Sequence, residues 1–141
     1  MTKIVVDAGV AIKWYVPEIH SAAAVRLLEG DFVLCAPDLI GPELANAVWK
    51  KVRRAEISPE EGNEILAAFE GIQIELAPAR PLLPAAYEAA VTLDRTVHDC
   101  LYLALAVAQN CPLFTADRKL HAAVLTSPAL AAHIRLIEDA D

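Results

Sequence analysis

Residues 100–116 read CLYLALAVAQNCPLFTA, seventeen positions without a Lys, Arg, Asp or Glu. A run of that length sits at the lower limit for a membrane span, but Gln109, Asn110 and Pro112 divide it. It reads instead as a buried helix over 97–109 followed by a short buried strand over 113–115. An acid stands in the first turn of the helix, Asp99, and another just past the strand, Asp117.

The same grammar recurs on either side. The run Ile4, Val5, Val6 is closed by Asp7, and further apolar runs at 32–35, 72–76 and 135–137 read as strands. Helical patterns fall between them at 9–15, 20–29, 38–54, 59–69, 84–94, 97–109, 117–124 and 127–133. Ser58-Pro59-Glu60-Glu61 carries an N-cap serine, proline at the first helical position and glutamate at the third, a well-marked helix start. Gly41-Pro42 is awkward within 38–54, and that helix alternatively begins at Pro42. Strands alternating with helices imply right-handed crossovers and an α/β fold with a mainly parallel sheet, helices on both faces, in a single domain over 1–141.

Composition agrees with one soluble domain. The chain has 141 residues, 56% hydrophobic and 22% charged, long enough to bury a core without disulfides or a structural metal. The net charge of −7 argues against a protein that coats polyanions generally. Three cysteines with no CxxC spacing fit reduced thiols in a cytosol. Asp7 and Lys13 interrupt the N-terminal apolar run, which argues against a signal peptide and keeps the expected location cytoplasmic, away from the membrane.

In a parallel sheet of this kind Asp7 and Asp117 lie at the carboxyl ends of their strands. Glu43 and Asp99 lie in first turns of helices whose N-termini reach the same edge, where ligands bind. Each has a bland reading alone. Asp117 reads as a plain N-cap, Asp99 as half of a T-x-x-D capping box with Thr96, and Glu43 as a solvated helix position. Together they are harder to dismiss, because unit charges 4 Å apart repel by about 4 kcal/mol at an effective dielectric near 20. A cation belongs between them. Oxygen-only ligands select Mg²⁺ or Mn²⁺. His20, His98, His121 and His133 show no zinc spacing, and no P-loop, GxGxxG or GxSxG string is present.

The segments VVDAGVAIKW (5–14), APDLIGPELANAVWK (36–50), TVHDCLYLALA (96–106) and LFTADRKL (113–120) resemble the PIN-domain nucleases, in particular the VapC-like ribonuclease toxins of prokaryotic toxin–antitoxin pairs. The resemblance implies a three-layer α/β/α fold with a five-stranded parallel sheet, a homodimer, and an antitoxin that blocks the cleft. It carries the metal-binding acids onto Asp7, Glu43, Asp99 and Asp117, the hydroxyl before the last acid onto Thr115, and the asparagine after the glutamate onto Asn46. Two positions depart from the pattern: Gly9 stands where Ser or Thr is usual, and His98 where Tyr commonly precedes the third acid.

The expected activity is Mg²⁺- or Mn²⁺-dependent endoribonucleolytic cleavage of RNA. Rival readings are a phosphatase with an aspartyl nucleophile, which usually has a second Asp where Gly9 stands, and a catalytically weak PIN-like binding module. For the RNA path, Lys50 and Arg54 fall within about 20° of the Glu43 stripe on a continuous helix. Lys51 and Arg53 broaden that basic run. Lys13, Arg118 and Lys119 are the next candidates.

Overall fold

The computed structural model describes residues 2–140. Its strands are β1 (Thr2–Val6), β2 (Phe32–Pro37), β3 (Ile74–Ala77), β4 (Leu113–Thr115) and β5 (Ile134–Leu136). Its helices are α1 (Ala8–Ile12), α2 (Ser21–Glu29), α3 (Ile40–Arg53), α4 (Pro59–Glu70), α5 (Leu83–Leu93), α6 (Val97–Ala108) and α7 (Arg118–Leu125). The strands form one sheet in the order β3-β2-β1-β4-β5, and every pairing is parallel. Val5 at the centre faces Cys35 on one side and Leu113 on the other.

From β1 the chain steps outward twice to β3, then returns to β4 on the opposite side of β1. Right-handed connections in opposite directions place their helices on opposite faces. Accordingly α3 packs with α1 and α4, while α5 packs on α6. The reversal beside β1 is the topological switch point, where a crevice opens at the carboxyl ends of the strands.

The apolar stretch 100–116 forms most of α6 and all of β4, a buried helix followed by a short buried strand. Residues Cys100 to Ala106 of α6 are all buried, and α6 lies across β1, β2 and β4. Each fully buried Leu there contributes roughly 1.5–3 kcal/mol of transfer free energy. No helix among the described residues is long and apolar enough to cross a membrane. Cys35, Cys100 and Cys111 are buried and unpaired.

Three helices differ from the sequence expectation by two residues or more, and the strand expected over 72–76 runs Ile74–Ala77. The helix expected over 127–133 is absent; Ser127 and Pro128 make a turn, and only Ala131–His133 forms a single 3₁₀ turn. Proline removes a backbone donor, and too little chain separates α7 from β5 for more. The helix expected over 9–15 is α-helical only to Ile12, after which Lys13, Trp14 and Tyr15 donate to carbonyls three residues back, tightening the chain before Pro17. The α3 helix begins at Ile40, between the two starts considered, because Pro42 then lies in the first turn, where its missing N–H has no intrahelical partner to lose.

Candidate metal centre

The crevice at the switch point is a cleft of about 550 Å³ whose walls include Asp7, Glu43, Asp99 and Asp117 together with Asn46, Lys50 and His98. Each acid is delivered by a local rule. Asp7 caps α1, its Oδ1 accepting from the Val10 N–H at 2.9 Å. Asp117 caps α7, its Oδ1 accepting from the N–H groups of Lys119 and Leu120 at 3.0 Å each. Thr96 caps α6 by accepting from the Asp99 N–H at 3.1 Å, which fixes the first turn that carries Asp99.

Thr115 ties the two strand-end acids together. It is fully buried, donates its hydroxyl proton to Asp7 Oδ2 at 2.6 Å and accepts from the Asp117 N–H at 3.1 Å. Across the cleft, the Tyr102 hydroxyl donates to Glu43 Oε1 at 2.5 Å. Burial first, then the hydrogen bond to Glu43 and its charge, push the Tyr102 phenol far above its ordinary range, so it stays a donor. Tyr102 is a site residue that the sequence reading passed over. Its signal was its place three residues after Asp99, the same face of one helix.

The electrostatics of this ring are those of crowded, partly desolvated acids. Loss of hydration pushes the Asp7 carboxyl up to about 6 despite the hydrogen bonds from Thr115 and Val10, and the charges of Asp99 and Asp117 add to the rise. Asp99 is raised too, by burial and then by Asp117. Among the described residues none of the four acids forms an ion pair. Three half-buried carboxylates and an exposed fourth, none of them ion-paired, suit a cation between them. The donor set is all oxygen, which fits a hard divalent ion. Among the described residues no three acidic, His or Cys side chains close into a compact cluster.

The PIN domain family model matches residues 4–124. The chain is 33% identical over 122 residues to ribonuclease VapC3 of Pyrobaculum aerophilum, a match covering 84% of this chain and 92% of that one. It is 32% identical over 137 residues to ribonuclease VapC1 of Mycobacterium tuberculosis, covering 97% and 99%. This chain belongs to the VapC ribonucleases of the PIN-domain family. Its fold is similar to that of VapC20 of M. tuberculosis, described as a toxin that cleaves the sarcin-ricin loop, with a TM-score of 0.67 at 16% identity, covering 85% of this chain and 94% of that one. It is equally similar in fold to VapBC2 of Rickettsia felis, solved with a promoter DNA fragment, with a TM-score of 0.67 at 16% identity and coverage of 96% and 98%.

Within this VapC chain the basic candidates part company. Lys50 lines the cleft and is exposed. Arg54 is the exposed C-cap of α3, and Lys119 is exposed at the start of α7. Arg118 is paired with Glu138, which also stands 3.3 Å from His20 Nε2. Lys13 is a correction: it is buried, its Nζ donates to the Ile19 carbonyl at 2.8 Å and lies 3.7 Å from Glu18, so it braces the loop after α1 and has no surface to offer RNA. Lys51 is likewise spent, bridging Glu18 at 2.7 Å and Glu56 at 3.5 Å.

Proposed function

We propose that this VapC-family ribonuclease is a Mg²⁺- or Mn²⁺-dependent endoribonuclease that hydrolyses RNA phosphodiester bonds as the toxin of a toxin–antitoxin pair. One observation carries the reading: four carboxylates from four separate chain segments line one cleft, and among the described residues none of them forms an ion pair, not even with Lys50 on the same wall. Asp7, Asp99 and Asp117 would hold the ion, and Glu43 would complete the set or orient the attacking water. A divalent ion in such a site supplies acidification of water and neutralisation of charge growing on the phosphoryl oxygens.

The residues around the acids do the positioning. Thr115 holds one oxygen of Asp7 and the Val10 N–H the other, so this carboxylate has a fixed direction. Tyr102 occupies Glu43 Oε1 and leaves Oε2 for a water or a ligand. Asn46, on the wall beside Glu43, offers an amide to a phosphate or ribose oxygen. An open ring of acids, as opposed to a closed cluster, suits an ion that keeps waters and takes substrate oxygens.

The setting follows from the same reading. RNA enters as substrate, a cognate antitoxin occupies the cleft to block it, the chain works as a homodimer, and three unpaired thiols fit a cytoplasmic location. The phosphatase alternative has nothing further in its favour. A weaker binding module keeps one argument, the missing hydroxyl at Gly9. The test is RNA cleavage by the purified protein in Mg²⁺, in Mn²⁺ and in EDTA, beside Asp99→Asn. Cleavage that requires the ion and is lost in the variant supports the reading. Cleavage that persists in EDTA, or equally in the variant, overturns it.

A further inference from the structure

Trp49 is a large aromatic residue left 53% exposed on α3, and the Arg53 guanidinium lies 5.5 Å from its ring centroid. Nothing in the packing of the core uses this pair. At 100° per residue Arg53 falls about 20° and Trp49 about 60° from Asn46, which lines the acidic cleft, on the side away from Glu43, so the pair stands just beyond the rim and rises about 10 and 5 Å above Asn46. Lys50, also on the cleft wall, is the next residue along the chain.

The charge around the ring is as informative as the ring. In a chain of net charge −7 the run Lys50 to Arg54 is dense in cations. Lys51 is neutralised by Glu18 and Glu56, whereas Lys50, Arg53 and Arg54 make no ion pair among the described residues. Unpaired cations flanking an exposed ring complement a strand that offers a phosphate and an unstacked base together. Single-stranded nucleic acids are held by that combination, with the base on the aromatic face and Arg adding to the stack. Arginine stacked on an indole is also held with its N–H groups ready for a phosphate oxygen.

We infer that Trp49 and Arg53 form a stacking platform for one base of single-stranded RNA, on the strand leaving the cleft along α3. The inference rests on the ribonuclease reading above and adds to it a subsite that recognises a base and not only the backbone.

The experiment compares two labelled strands, a uridine 12-mer and the same ribose-phosphate chain without bases, binding in EDTA to wild type, Trp49→Phe, Trp49→Leu and Trp49→Ala. Wild type should prefer the strand with bases by about tenfold, as one base on one aromatic ring provides. Trp49→Phe should keep most of that preference. Trp49→Leu, which retains apolar bulk without a π face, and Trp49→Ala should lose at least fivefold of it, a loss larger on the uridine strand than any loss on the baseless strand. Sedimentation of each variant should give the wild-type mass.

An undiminished base preference in Trp49→Leu and Trp49→Ala overturns the platform. So does a lower mass in those variants, which would make the ring a contact between two copies of the chain. Wild type that binds neither strand, in EDTA and again with Ca²⁺ present to offset the acids, sinks the RNA reading itself, and the platform with it.

Discussion

Asp7 and Asp117 obey one local rule and end in different environments. Each follows a buried strand, each caps the next helix, and each is reached through Thr115. Asp7 sits on the floor of the cleft, where loss of hydration raises its carboxyl to about 6. Asp117 sits exposed on the rim, its Oδ1 spent on two backbone amides. The difference follows their place in the sheet: β1 is the central strand, with two strands on each side, while β4 is one strand in from the edge. Identical capping chemistry thus yields a desolvated acid at one strand end and a solvated one at the other.

The largest test of this contrast is neutralisation. Asp7→Asn should lower metal-dependent RNA cleavage on the order of 10²–10³-fold or more, the scale of removing a preorganised charge from a water-poor site. Asp117→Asn should cost about tenfold, since solvent screens a rim charge. Both substitutions keep a side-chain oxygen to cap the helix, so circular dichroism should show folded protein. Equal losses in the two variants would erase the distinction between floor and rim.

Thr115→Val comes next. Valine fills the same buried volume without the hydroxyl, leaving Asp7 free to rotate and the Asp117 N–H without its acceptor. Cleavage should fall 10- to 100-fold, the usual effect of losing an outer contact to a metal ligand, and Thr115→Ser should restore most of it. A serine variant as poor as the valine one would show that Thr115 acts through packing and not through its hydrogen bonds.

How far the sequence carried this picture depends on where the information lay. Apolar runs closed by acids, as in Ile4 to Asp7 and Leu113 to Asp117, announce strands and strand ends because burial and capping are local signals. The Ser58 capping box is present as read, with Glu61 returning to the Ser58 N–H at 3.0 Å. Parallel strand order then brought the four acids to one edge. Tyr102 with Glu43, separated by 59 positions, is a tertiary contact that no periodicity encodes. Lys13 shows the converse: a cation near a cleft in sequence is withdrawn from it by the Ile19 carbonyl and Glu18.

The floor acid should also govern pH dependence in the absence of metal. With its folded value about 6 and its ordinary value 3.8, Asp7 holds a proton more tightly in the folded protein than in the unfolded chain. Stability from this group is therefore fully present below about pH 4 and is lost as pH rises through about 6, by roughly 2–3 kcal/mol at most. Urea denaturation in EDTA should show wild type weakening across that window, and Asp7→Asn should flatten the slope and be more stable at pH 7.5. A slope unchanged in the variant would place the titration elsewhere. Added Mg²⁺ should stabilise wild type above pH 6, as a ligand that binds only the folded state does.

The smallest expected effect is a gain. Gly9 has no positive φ, and a Cβ built there meets only Asp7 Oδ1, at an ordinary 3.4 Å. A serine thus fits without strain, with its hydroxyl near the one oxygen of Asp7 that now has only the Val10 amide. A second donor to that oxygen would favour the ionised carboxylate and fix its direction. Gly9→Ser should therefore raise cleavage or Mg²⁺ affinity by about tenfold, in line with contacts one shell out from a metal. Gly9→Ala, with the same Cβ and no hydroxyl, should stay at the wild-type level. The pair separates hydrogen bonding from loss of backbone freedom: a matching gain in alanine would assign the effect to a stiffer first turn of α1. A folded serine variant with no gain at all would mean that Thr115 and Val10 already hold Asp7 as firmly as the floor of this cleft requires.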